Sequence, residues 1–298
     1  MDKVEKLVNY IIYNKIGRYI KNEEFKKYTT LKLGGKFRMI IFPTTIEKLK
    51  SIVDFLGNIN MEFMVLGNGS NILCSDDEYD GVVLSFKDID PLCMQINDEL
   101  IVNAGVKLNV LYHKIGEYYG FDKLSLIPGT IGGGVISNCG AYGFNISEII
   151  KEVCIYENGK ELWINNDGNI FGYRTSVFKN SQKVILYVKL KLIKHKCDLI
   201  KWKKEKLKSQ NIEGYNAGST FKNPPGYSAW KLIKEHSTTK NVNDCFVSEV
   251  HANMFYHNGK GKSCDMYNLM ENVKKEVFKK TGIMLENEWI LFNFKQKN

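Results

Sequence analysis

The chain has 298 residues, 44% hydrophobic, 12% aromatic and 25% charged. That excludes intrinsic disorder and, at roughly 100–200 residues per domain, predicts about two domains. The 42 lysines and arginines against 33 acidic residues give a net charge of +9, and all but Arg18, Arg38 and Arg174 are lysines scattered along the chain; this is a solvated basic surface rather than a nucleic-acid-binding arm.

Val4, Leu7, Val8, Ile11, Ile12 and Ile16 recur at helical spacing and predict an amphipathic helix over residues 1–20. A short strand and turn follow at 28–35, a strand at 39–42 stopped by Pro43, and a helix at 45–56 capped by Thr44 or Thr45. Strands are expected at 63–66, 81–84 and 100–103, then a helix at 109–119 ended by Gly120. Beyond the glycine-rich 127–143 stretch, strands are expected at 153–156, 161–164 and 184–192. Residues 194–208 read as a charged helix or a linker at a domain boundary. A helix from Ser228, strands near Phe246 and at 252–256, a helix carrying Met266, Leu269, Met270, Val273 and Val277, and a strand at 289–292 complete a mixed α+β chain.

Seven cysteines without a C-x-x-C pair exclude a disulfide framework and a zinc site, and they fit a reducing compartment. His251 and His257 lack a third ligand at metal spacing, so no metal is expected. The N-terminus lacks signal-peptide order, and the uncharged 124–147 stretch holds Pro128 and six glycines, so it is no spanning helix. A cytoplasmic protein without membrane insertion is expected.

Five segments are rich enough in chemistry to weigh. Gly67-Asn-Gly-Ser-Asn71 follows a strand and reads either as a hairpin turn or as a nest of N–H groups for a phosphate, although Ile72 breaks G-x-G-x-x-G. Ile127-Pro-Gly-Thr-Ile-Gly-Gly-Gly spends three consecutive glycines amid apolar residues, for a ligand lying on bare backbone or for a tight chain crossing. Two such turns about 60 residues apart would hold one extended dinucleotide. Arg174, in Gly172-Tyr-Arg-Thr-Ser, is a surface cation or an anion grip. Ser219, in Ala217-Gly-Ser-Thr-Phe-Lys-Asn, is a turn serine or a reactive one, with Lys222 and Asn223 near to bind an anion; no nucleophile elbow is present. Glu286 and Glu288 share one face if their segment is a strand, as a rim salt bridge or a proton-handling group.

Taken in order, T-T-L-K-L-G-G (29–35), L-G-N-G-S-N-I-L (66–73), I-P-G-T-I-G-G (127–133), N-C-G-A-Y-G (138–143), G-Y-R-T-S-V-F (172–178), A-G-S-T-F-K-N-P (217–224) and H-A-N (251–253) resemble the UDP-N-acetylenolpyruvoylglucosamine reductase family, in its shorter subclass. The resemblance implies an N-terminal helix (1–27), a two-part FAD-binding domain of the vanillyl-alcohol-oxidase (PCMH) type (28–194) and an α/β substrate-binding domain (195–298). It implies tightly bound FAD held by Gly67, Asn68, Gly69, Ser70, Asn71, Pro128, Gly129, Thr130, Ile131, Gly132, Gly133, Asn138, Gly140 and Ala141. It implies substrate contacts from Tyr142, Tyr173 and Asn223, and catalysis by Arg174, Ser219 and Glu288.

The activity it implies is reduction of UDP-N-acetylglucosamine enolpyruvate by NADPH in peptidoglycan precursor synthesis, in a monomer or weak oligomer. Arg174 would grip the carboxylate as negative charge develops, a protonated Glu288 would polarise it, and Ser219 would give the final proton. Another FAD-dependent oxidoreductase of the same fold is the alternative. Three departures stand out: Asn287 where the family has proline, Ile290 where it has arginine, and Glu235-His-Ser-Thr-Thr-Lys-Asn241 at a helix end. Lys206 and Lys208 are the candidates to meet the diphosphate.

Overall fold

Gly17 sets where the first helix must stop. Its φ is +153°, and a Cβ there would lie 2.0 Å from the Phe42 carbonyl oxygen, so the chain has already turned into a sheet. A computed structural model describes residues 2–116 and 118–294. In it the helix is Lys3–Tyr13, followed by the strand Gly17–Glu24, rather than one helix over 1–20. Residues 29–35 are turn and coil, not a strand. The helix expected at 109–119 is Leu108–Ile115, and Glu117 lies outside the described residues. Thr45 caps the helix Ile46–Asn58 by accepting from Lys48 N.

The chain divides into two compact units. One comprises Met1–Glu23, Phe37–Asn68 and Asp80–Lys203; the other comprises Glu24–Lys36, Gly69–Tyr79 and Lys204–Asn298. The segments 24–36 and 69–79 belong with the C-terminal third because Leu31, Leu33 and Leu73 bury in its core.

The first unit has two larger sheets. Gly17–Glu24, Lys36–Pro43, Tyr79–Leu84 and Phe63–Val65 form one, in that order. Lys160–Asn165, Ile150–Glu157, Val184–Lys191, Glu99–Asn103 and Cys93–Ile96 form an antiparallel sheet in that order. Their apolar faces share one core with Leu7, Leu49, Ile131 and Val135. The three-glycine segment forms the short helix Ile131–Ser137, with Thr130 accepting from Gly133 N.

In the second unit, Asn241–Val242, Cys245–Val247 and Phe255–His257 form a small antiparallel sheet against the helices Ala229–His236 and Ser263–Thr281. Met266, Leu269, Met270, Val273 and Val277 of the long helix are buried as their spacing predicts. A strand with no sequence-level forecast, Ile72–Cys74, pairs in parallel with Ile290–Phe292. The α+β class therefore holds. Among the described residues there is no helix long and apolar enough to cross a membrane, and no cluster of potential metal ligands. None of the seven cysteines, all among the described residues, forms a disulfide.

Candidate active site

In the first unit, two tight hairpins carry the aromatic and arginine positions. Gly140–Ala141 pairs with Phe144–Asn145, leaving Tyr142 (φ +53°) and Gly143 (φ +75°) as the turn. Both residues are left-handed, as a two-residue hairpin whose twist matches its strands requires. Phe171–Gly172 pairs with Thr175–Ser176, leaving Tyr173 and Arg174 at the tip, Arg174 again left-handed at φ +53°. A non-glycine residue pays roughly 1 kcal/mol for that backbone, which persists where surroundings over-determine it.

Those surroundings are visible. Arg174 Nη2 donates to Gly140 O at 2.8 Å and Nη1 to Asn145 Oδ1 at 3.1 Å, so the guanidinium is held by both strands of the neighbouring hairpin. Asn138, buried and left-handed itself, donates to Gly172 O at 2.8 Å and accepts from Ser147 N at 3.2 Å, tying the hairpins together. Tyr173 is exposed, with the Arg174 guanidinium 5.4 Å from its ring centroid.

The glycine turns meet in the same unit. Asn68 Nδ2 donates to Pro128 O at 2.6 Å, and a Cβ on Gly67 would lie 2.6 Å from Thr130 Oγ1. Thr130, Ile131 and Gly132 are buried, and a Cβ on Gly132 would meet that of Ala104 at 2.9 Å. Gly133 differs: it is exposed, and a Cβ there would find only Thr130 Oγ1, at 3.5 Å. Packing thus explains some of these glycines, and open space for a ligand remains beside one.

In the second unit, Ser219 lies in a segment gripped from both sides. Thr220 N donates to Asn253 O, Phe221 N to Asn253 Oδ1, and Asn253 Nδ2 to Phe221 O, at 2.8, 2.9 and 2.7 Å. On the other side Glu288 N donates to Thr220 O and Lys222 N to Glu286 O, both at 2.9 Å. The buried Trp289 fixes the chain two residues before Ser219, its Nε1 donating to Ala217 O at 3.1 Å. Asn71 of the first glycine motif donates to Glu288 O at 3.3 Å and accepts from Ile290 N at 3.0 Å. Gly69, left-handed at φ +60°, accepts from Thr30 N at 3.0 Å. The motifs at 29–35, 217–224, 251–253 and 285–291 and residues 69–73 therefore converge here.

Three positions take definite partners. Glu286 and Glu288 do not share a regular strand, which begins only at Ile290; Glu286 is exposed and pairs with Lys222 at 3.2 Å, so it is the rim ion pair and Lys222 is occupied. Asn223 accepts from Ala229 N at 2.9 Å through its Oδ1 and so supports the start of the helix Ala229–His236. At Asn287, the pairing with Phe221 uses the N–H groups of Lys222 and Glu288 and not its own, so replacing proline leaves the pairing intact.

The Ser237–Thr239 departure has its own partner, which sequence spacing concealed. Glu276 accepts from Ser237 Oγ, from Thr238 N and Oγ1, and from Thr239 N and Oγ1, at 2.7–3.1 Å. Partial burial alone would raise this carboxyl, but the hydrogen bonds outweigh it and hold it at about 2. Asn253 was equally missed as a clamp, although the H-A-N motif contained it.

Residues 37–163 match the FAD binding domain family, and residues 210–292 match the C-terminal domain of UDP-N-acetylenolpyruvoylglucosamine reductase. This is a PCMH-type FAD-binding domain with a second domain attached, the build of an FAD-dependent oxidoreductase. The reductase of Carboxydothermus hydrogenoformans is 36% identical over 278 residues, 89% of this chain and 91% of that one. That of Clostridioides difficile is 33% identical over 277 residues, 90% and 91% of the two chains. The crystal structure from Thermus caldophilus matches with a TM-score of 0.74 at 26% identity, over 92% of this chain and 98% of that one. The chain belongs to the UDP-N-acetylenolpyruvoylglucosamine reductase family. The residues present fit the flavin nucleotide: the exposed, Cβ-free backbone at Gly133, with exposed Gly67 and Pro128, leaves room for a flat ligand that a side chain there would fill.

Proposed function

We propose that this chain reduces UDP-N-acetylglucosamine enolpyruvate to UDP-N-acetylmuramate with NADPH as donor, in the cytoplasm. Family membership supports the substrate, since the relatives are named for it. The single observation that carries the mechanism is the Arg174 guanidinium held at a strained hairpin tip by Gly140 O and Asn145 Oδ1. A permanently charged fork fixed in advance suits an anion whose charge grows during reaction.

In this reading residues 28–194 bind FAD and residues 195–298 bind the UDP-sugar, with residues 1–27 preceding both. Gly67–Asn71, Pro128–Gly133, Asn138, Gly140 and Ala141 hold the cofactor, and Tyr142, Tyr173 and Asn223 meet the substrate. Bound there, FAD would take a hydride from NADPH and supply it to the enolpyruvyl methylene carbon.

The chain's own groups handle charge and proton. Arg174 grips the substrate carboxylate and stabilises the enolate as it forms. Glu288, protonated, donates a hydrogen bond to the same carboxylate. Ser219 delivers the proton to the carbon bearing the carboxylate; an alcohol suffices because a carbanion-like centre is a strong base. The grip of Asn253 and Glu288 on residues 220–221 keeps the serine oriented.

The test is Ser219→Ala. Bleaching of the flavin absorbance by NADPH should persist at wild-type rate, while turnover of the enolpyruvyl substrate falls by about 10²–10⁴-fold. Turnover near wild-type level would remove Ser219 from the mechanism.

A further inference from the structure

The helix Leu199–Gln210 is lysine-rich and buries none of its side chains fully, yet it carries a tryptophan. Trp202 Nε1 donates to Asp122 Oδ2 at 3.0 Å, and the same oxygen accepts from Asp198 N at 3.0 Å. Asp122 is 4% exposed, and its other oxygen accepts from Lys123 N at 3.0 Å. A buried carboxylate with three N–H donors is a rigid anchor, and bonds to a charged acceptor are about twice as strong as neutral ones. Asp198 also starts the helix, accepting from Lys201 N at 2.9 Å. The indole is therefore fixed at its polar edge and at its helix.

Its face is used too. The Tyr142 ring stacks on it with centroids 4.8 Å apart and planes 28° apart. Lys123 and Lys201 place their ammonium groups 5.0 and 4.6 Å from the same indole centroid. Tyr142 is the residue in the left-handed turn of the 140–145 hairpin, where a bulky side chain is disfavoured, so something must hold it. That hairpin is also the one whose Gly140 and Asn145 receive the Arg174 guanidinium.

We propose that Trp202, locked by Asp122, is a positioning residue for Tyr142: its indole sets the orientation of the Tyr142 ring and, through the hairpin, steadies the cradle of Arg174, and so tunes affinity for the anionic UDP-sugar. This rests on the proposed function, in which Tyr142 meets that substrate. Loss of the aromatic face frees the Tyr142 ring, whereas phenylalanine keeps the stack and loses only the N–H bond.

The experiment is a double-mutant cycle of Trp202→Ala and Tyr142→Ala in the FAD-loaded enzyme, read by calorimetric titration of UDP-N-acetylglucosamine enolpyruvate without NADPH. Wild type must bind first; if it does not, the proposed function fails before any variant is compared. Trp202→Ala should weaken binding about three- to tenfold, the range of an aromatic pair. It should add less than twofold in the Tyr142→Ala background, and Trp202→Phe should restore binding to within twofold. An effect that is additive with Tyr142→Ala, an unchanged dissociation constant, or no rescue by phenylalanine overturns the proposal. Should Trp202→Ala fail to fold, Trp202→Leu, which keeps apolar bulk without a ring face, carries the same cycle.

Discussion

The N–H of Glu288 donates to the carbonyl of Thr220 at 2.9 Å, so two residues 68 positions apart in sequence flank one isolated antiparallel bridge, Phe221 to Asn287. Asn253 completes it from the opposite edge, with both amide atoms on the backbone of Phe221. Ser219 sits one residue from this clamp. Its backbone is thus positioned by the Asn253 amide and the Glu288 main chain.

Asn253→Ala should therefore cost about 2–4 kcal/mol, because a buried N–H and a buried C=O lose their partners together. Urea denaturation reads the loss, and turnover measured well below the unfolding range should fall at least about tenfold. Unchanged stability would mean the clamp is not formed.

Gly132 and Gly133 are adjacent but should behave oppositely. A methyl on Gly132 presses on Ala104 at 2.9 Å, so Gly132→Ala should destabilise the fold by about 1–3 kcal/mol. Gly133→Ala has room, and alanine suits a helix better than glycine, so its melting temperature should be equal or higher. FAD affinity, read by flavin fluorescence on titration of the apoprotein, should nonetheless drop for Gly133→Ala. Unaltered affinity would place the flavin elsewhere.

Glu276 gives the pH prediction. Its carboxyl lies at about 2 in the fold against an ordinary 4.5. The ionised form is thus preferred by the folded state, and its contribution is complete above about 4.5 and lost as pH falls toward about 2. Glu276→Gln should destabilise the protein by about 1–2 kcal/mol at pH 7, a value discounted for solvent screening. The gap between variant and wild type should narrow below that ordinary value; a gap constant with pH would assign the effect to shape alone.

Arg174→Lys keeps the charge but cannot reach Gly140 O and Asn145 Oδ1 together as a planar fork does. Turnover should fall roughly 10²–10³-fold, with the reduction of FAD by NADPH little changed. A loss under about threefold would show that charge alone suffices.

Much of the long-period structure was legible in the residues: the helix Ser263–Thr281 followed its apolar stripe, and Gly282, left-handed at φ +72°, ended it where expected. The motifs in register identified the family before any coordinate. What stayed hidden depended on contacts distant in sequence. The strand Ile72–Cys74 exists because Ile290–Phe292 pairs with it, and three residues carry no period of their own. The Ile131–Ser137 helix defied its glycines because Ala104 and Cys139 leave no room for side chains at Gly132 and Gly134. Ser237–Thr239 read as a departure because the Glu276 it wraps lies 37–39 residues away. Asn223 offered an amide that a helix end uses.

The most direct measurement is the visible absorption of the purified protein under anaerobic conditions. NADPH should bleach a flavin spectrum, and UDP-N-acetylglucosamine enolpyruvate should then restore it with one equivalent of UDP-N-acetylmuramate formed. A flavin that is bleached but not reoxidised by that substrate, or a protein that stays colourless after incubation with FAD, would contradict the account.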